Sequence, residues 1–177
     1  MKPLINEMLR TIGKGFIPMK ISESVFLDVF EKFKNTVYSV VFNYVRNAED
    51  AADLQQDVFV KLLGSNVEYE SEEHIKAWLI RVSINMCKNH LRRQSRFSDV
   101  PLSEEIPAEV KEEFYDLFAM VLTLPEKYRI PLHLFYYEEY SVRQIAAAME
   151  LPEATVKIRL KRGREKLGKS LRKEDWF

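Results

Sequence analysis

Lys157, Ile158, Lys161, Arg162 and Arg164 fall within one short stretch near the carboxy terminus, and helical spacing sets these long cations around an apolar side chain on an outer flank. Such groups neutralise phosphates, and a Lys or Arg among them can read guanine through the major groove. The stretch that holds them, SVRQIAAAMELPEATVKIRLKRGR from Ser141 to Arg164, reads as a helix, a tight turn and a second, basic helix. Ser141 caps the first, and Gln144 three residues on completes a capping box. Ile145, Ala146 and Met149 give its inward face, and Val156, Leu160, Gly163 and Leu167 give that of the second. The pattern predicts a helix-turn-helix whose second helix presents a basic stripe to DNA.

A second polar constellation lies in the middle of the chain. Asn85, Lys88, Asn89, Arg92 and Arg93 occur on faces of a helical segment whose core side is Ile75, Trp78, Leu79, Val82, Met86 and Leu91. Side-chain amides can hydrogen-bond base edges while the nearby cations hold phosphates. A third group, Asp53, Gln56, Asp57 and Val60, places carboxylate, amide and apolar groups on one stripe, as a protein-docking face does. Catalytic chemistry has no such support. His74, His90 and His133 are scattered, Cys87 has no evident partner, and neither a phosphate loop nor metal-ligand spacing occurs. No cofactor, metal or catalytic residue is expected.

The elements that position these groups are helices. Gly is scarce, with 5 among 177 residues, and apolar residues recur every three or four positions, which argues for an all-α chain. From Ser22 to about Arg46 one buried face carries Phe26, Val29, Phe30, Phe33, Val37, Val40, Val41 and Tyr44. Asn47 caps a second helix running to about Leu63, with Glu49 and Asp50 in its first turn. Residues 64–73 form a polar loop, and the third helix is expected from about His74 to Arg96. Residues 97–113, with two prolines and rising acidic content, read as an interdomain linker. Beyond it, Phe114 to Leu122 form a short helix, and Pro125 opens another that Pro131 should kink or delay. The fold expected is two small helical domains joined by a flexible acidic linker, the second a four-helix domain ending in the helix-turn-helix. Residues 1–21 precede them as an extension.

The formal net charge is zero, 27 basic against 27 acidic residues, yet the signs are segregated, acid from Glu49 to Glu73 and base at Lys88–Arg96 and Lys157–Lys173. Local fields of this kind suit one acidic and two basic partner surfaces. The single cysteine excludes an intrachain disulfide and points to a reducing compartment. No apolar run reaches the roughly 20 residues of a membrane span. A cytoplasmic protein without membrane insertion is expected.

The order DAADLQQDVF, then KAWLIRVSINMCKNHLRR, then LTLPEKYRIPLHLFYYEEYSVRQIAAAMELPEATVKIRLKRGREKL resembles the extracytoplasmic-function branch of the bacterial sigma-70 family, from Ser22 to about Leu171. The resemblance implies a non-catalytic specificity subunit that binds core RNA polymerase and directs promoter recognition, melting and initiation. It implies region two at 22–97, a linker at 98–113 and region four at 114–177. Asp53, Gln56, Asp57 and Phe59 would bind polymerase. Tyr69, Asn85, Lys88, Asn89, Arg92 and Arg93 would contact minus-ten DNA, with Tyr69 in the loop that captures a flipped base. Thr155, Lys157, Ile158, Lys161, Arg162 and Arg164 would contact minus-thirty-five DNA. An anti-sigma factor is a further implied partner. Some positions depart from the family pattern: Ala52 stands where an acid is common, Glu150 where Gly is frequent in the turn, and Pro152 where Ser or Thr often caps. A helix-turn-helix regulator binding DNA without polymerase is the alternative. It would usually dimerise, and no sustained heptad seam is present.

Overall fold

The computed structural model of the chain describes residues 22–65, 71–94 and 120–173. Among them every regular element is helical: α1 (Glu23–Val45), α2 (Ala48–Leu63), α3 (Glu72–Gln94), α4 (Glu126–Tyr136), α5 (Val142–Met149) and α6 (Glu153–Lys173). One further helical turn at 120–123 precedes α4. The extension, the linker and Tyr69 lie outside the described residues, as does most of the helix expected at 114–122.

Local chemistry sets the boundaries. The Ser22 hydroxyl accepts the Val25 N–H at 3.3 Å to start α1, and Arg46, left-handed at φ 57°, ends it by returning its N–H to the Phe42 carbonyl. Asn47 then starts α2 by accepting from Asp50 N–H at 2.9 Å, so the two helices are joined by two residues. α3 begins at Glu72, two residues earlier than expected, because Ser71 caps it: its hydroxyl accepts the His74 N–H at 3.2 Å. α4 begins after Pro125 as predicted, and Pro131 lies inside it. The helix continues to Tyr136 past this position, giving up one backbone donor.

Helices α1 to α3 pack on one another, and α4 to α6 form a second group. In the first, Val37, Val41, Val58, Phe59, Leu62, Leu79, Ile80 and Ile84 are fully buried. The Phe59 ring meets Phe30 at 4.8 Å and Phe26 at 6.3 Å in edge contacts. In the second, Ile130, Leu134, Ile145, Val156 and Leu160 form the core. Full burial of each such side chain contributes roughly 1.5–3 kcal/mol, which seats both groups firmly. Helix α6 crosses α4 closely at Gly163, where a Cβ would stand 2.8 Å from Leu132 Cδ1. The two groups also touch: α1 packs on α4, and α3 on α5.

Candidate nucleic-acid and docking surfaces

The helix-turn-helix is built as its sequence predicts. Gln144 N–H donates to the Ser141 hydroxyl at 3.3 Å, and Ser141 N–H donates to the Gln144 side-chain oxygen at 2.9 Å. Helix α5 ends at Glu150, which adopts φ 59° and ψ 48°, the left-handed conformation a glycine would take without side-chain strain. Pro152 opens α6 with its carbonyl, which accepts from Thr155 N at 2.9 Å and Val156 N at 3.2 Å. With Val156 and Leu160 buried, Lys157, Ile158, Lys161, Arg162 and Arg164 project outward, while Thr155 is half-buried. Ile158 is 52% exposed, an apolar side chain set among the outward cations of this face. Lys161 faces Glu165 at 4.0 Å across an exposed turn, a pair that costs little to break.

On α2, Asp53, Gln56 and Asp57 are exposed together. Phe59 departs from the expectation of a docking residue, since it is fully buried among Phe26 and Phe30. Its side chain packs beneath the acidic stripe and positions it from within. Helix α2 buries two rows, against α1 and against α3, so apolar periodicity alone does not separate an inward from an outward aromatic.

On α3, Asn89, Arg92 and Arg93 are exposed, Asn85 and Lys88 half-buried. Lys88 Nζ donates to the Met149 carbonyl at 3.2 Å, and Arg81 donates to Glu150 Oε1 at 3.2 Å. The three predicted sets therefore stand on three separate helices. They make extended surfaces suited to macromolecules, and the described residues contain no cluster of three or more metal-ligating side chains. Burial pushes the Cys87 thiol up, away from the reactive thiolate form.

Sequence reading missed the buried Arg129 and His133, which face α1 from α4, and Glu138, buried just beyond α4, where it pairs with Lys76 of α3. Arg129 donates to the carbonyls of Asn43 at 2.6 Å, Tyr44 at 3.5 Å, Leu122 at 3.0 Å and Leu124 at 2.7 Å. Burial lowers the Arg129 pKa to about 10 and that of His133 to about 4. The signal available in the sequence was a basic residue and a histidine inside the otherwise apolar run YRIPLHLFYY.

Comparison with known proteins bears on the family and the fold. Residues 29–97 match the model of sigma-70 region 2, and residues 116–167 match that of sigma-70 region 4. The chain is 25% identical over 191 residues to the extracytoplasmic-function sigma factor SigW of Bacillus subtilis, covering 97% of this chain and 99% of the relative. It is 30% identical over 146 residues to the RNA polymerase sigma factor SigV of the same organism, covering 80% of this chain and 88% of that one. Against the sigma-E factor of Escherichia coli K12 the identity is 27% over 156 residues, covering 76% and 80%. Among solved structures, the sigma factor RpoE of Bartonella quintana, crystallised with the anti-sigma factor NepR, shares the fold at a TM-score of 0.72 and 22% identity, covering 83% of this chain and 96% of that one. The two region matches, in chain order, and the relatives aligned across both of them place this chain in the extracytoplasmic-function branch of the sigma-70 family, a sigma factor of RNA polymerase.

Proposed function

We propose that this sigma factor docks on core RNA polymerase through the acidic stripe of α2 and holds promoter DNA at two places. Helix α6 enters the duplex of the minus-thirty-five element, and α3 engages the opened minus-ten element. One observation carries the reading: the acidic set Asp53, Gln56 and Asp57 and the basic set Lys157, Ile158, Lys161, Arg162 and Arg164 are each solvent-facing on separate, well-seated helices. A carboxylate face repels DNA and attracts a cationic protein surface, whereas the α6 face does the reverse. Residues 22–97 and 114–177 serve as the two functional units, with 98–113 as their tether and Tyr69 stacking the captured base. Melting then draws on capture of unpaired bases and needs no nucleotide hydrolysis by this chain. RpoE of Bartonella quintana was solved with an anti-sigma factor, and an analogous partner covering the polymerase-facing surface is part of this proposal.

Transcription by sigma-free bacterial core polymerase on genomic DNA of the source organism, with mapping of 5′ ends, tests it. Discrete starts sharing upstream motifs, lost in Asp53→Arg/Asp57→Arg, are expected. Binding to DNA without any directed start would overturn the assignment.

A further inference from the structure

His74, Ala77, Trp78 and Arg81 recur at helical spacing and share one face of α3. Gln144, Ala147 and Ala148 do the same on α5. Where these faces meet, with Tyr140 just ahead of α5 completing the lining, a groove of about 220 Å³ stays open. Its origin is a mismatch in side-chain size. Three alanines surround the one large indole of Trp78, itself only half-buried, and their methyl groups are too short to fill the space beside it. The α3 wall from His74 to Arg81 runs about 10 Å, at 1.5 Å per residue. Sites for drug-sized ligands measure roughly 300–1,000 Å³, so this one suits a smaller, single-ring molecule.

The two ends of the groove differ chemically. At one, Arg81 gives an N–H to Glu150 Oε1 at 3.2 Å, an exposed pair that exchanges at little cost, and the guanidinium has further N–H groups to offer. At the other stand Tyr140 and Gln144. The Gln144 oxygen accepts from the Ser141 N–H at 2.9 Å and the Ser141 hydroxyl at 2.8 Å, which fixes the amide and leaves its NH2 group as the donor end. Tyr140 is 6% exposed, yet its hydroxyl has no hydrogen-bond partner among the described residues. Burial and the nearby Glu138 carboxylate push its pKa up, so the hydroxyl keeps its proton. A buried hydroxyl in this state costs free energy until an acceptor meets it. No carboxylate lines the groove, and Glu138 is held by Lys76 at 3.0 Å. Donors at both ends, one of them cationic, flank an aromatic face.

We propose that this groove is a binding site for a small hydroxyaryl carboxylate, its ring on Trp78, its carboxylate on Arg81 in place of Glu150, and its hydroxyl oxygen accepting from Tyr140 or Gln144. The aromatic face takes the ring, and the guanidinium takes the acid through charge-assisted hydrogen bonds. Because its walls belong to different helical groups, the occupant touches both, and it stabilises the contact between them by mass action.

The test uses the full chain with Trp176→Phe, which leaves Trp78 as its one tryptophan. After isotope labelling, the Trp78 indole N–H and the Gln144 side-chain amide report the two walls by NMR. Titration with para-hydroxyphenylacetate should shift both signals together and saturably, with a Kd of about 1 mM or below. Phenylacetate, without the hydroxyl, and para-hydroxyphenylacetamide, without the charge, should bind roughly fivefold and tenfold more weakly. Arg81→Gln should erase the preference for acid over amide, and Tyr140→Phe should reduce the preference for the hydroxylated ring, ratios that a general loss of stability would not move. Glu150→Gln, which releases Arg81, should tighten acid binding severalfold. Ala147→Leu, at an exposed helical position, fills the groove and should abolish binding with circular dichroism unchanged. Absence of a saturable shift up to about 10 mM in the folded chain overturns the site. Shifts at Trp78 that leave Gln144 unmoved, or that survive Ala147→Leu, put the ring on α3 alone and overturn it equally.

Discussion

Gly163 and Gly168 lie on the same helix, and comparing an alanine at each isolates the close crossing that seats the recognition helix. Both substitutions exchange glycine for the best helix former, a gain of about 1 kcal/mol in a helix interior. At Gly168 the added methyl meets no atom within 4 Å from elsewhere among the described residues, so that gain should appear nearly undiminished. At Gly163 the methyl meets Leu132 Cδ1 at 2.8 Å, Leu132 Cγ at 3.2 Å and Tyr128 Cβ at 3.4 Å. Leu132 is 3% exposed and has little room to retreat, so overpacking of about 1–3 kcal/mol opposes the propensity gain. Gly163→Ala should therefore range from neutral to about 2 kcal/mol destabilising, and the gap between the two variants should be about 2 kcal/mol. For a chain of this size that gap is roughly 4–8 °C in Tm. Urea denaturation with an unchanged slope would measure it. Transcription from a promoter that depends on the minus-thirty-five element should fall in Gly163→Ala if α6 is displaced. Equal stabilisation by the two alanines would refute the steric argument.

Phe59→Ala should cost about 3–5 kcal/mol by emptying the aromatic cluster it fills, whereas Asp53→Arg/Asp57→Arg should leave the unfolding free energy from urea denaturation within about 0.5 kcal/mol while abolishing polymerase binding. Replacing Lys157 by Ala should weaken duplex binding across sequences and lower the salt slope by about 1, read from affinities at several salt concentrations; an unchanged slope would remove Lys157 from the phosphate contacts. His133 predicts a pH dependence. Because burial holds it at about 4, below its ordinary 6.5, a state with a solvated ring takes up a proton first. The packed arrangement is then fully favoured above pH 6.5 and loses up to about 2 kcal/mol by pH 5, at about 1.4 kcal/mol per unit. Glu138 at 3.9 Å, itself paired with Lys76, and Arg129 on the same helix are the charges near the ring, with Ser39 and Asn43 facing it from α1. Energy transfer between dyes at exposed positions 61 and 169, one in each helical group, should fall between pH 7 and 5, and His133→Gln should flatten the change.

Much of this architecture was legible in the residues. Asn47 and the Ser141–Gln144 pair announce helix starts because they supply the acceptors that free N–H groups require, and the outward cations of α6 follow once Val156 and Leu160 are inside. Phe59 was harder, since a helix packed on two neighbours buries more than one row. The α3 start depended on Ser71, a cap sitting in a polar loop where several residues could serve. The contacts of Arg129 and His133 join positions some 86 to 94 residues apart, and no local periodicity encodes which distant carbonyl or hydroxyl a buried cation will meet. What the sequence does carry is the anomaly itself, two basic side chains in an apolar helix, which require polar partners if buried.

The material from which the seam between α1 and α4 is made has a consequence for solubility. Ser39, Asn43, His133 and Arg129 all present hydrogen-bonding groups there, and each bond lost on separation is replaced by one to water at a net cost of only about 0.5–1.5 kcal/mol. A seam of leucines would instead leave a sticky, aggregation-prone face on each half whenever the halves parted. During synthesis α1 emerges some 90 residues before its partners on α4, and a hydratable face lets it wait in water until they arrive.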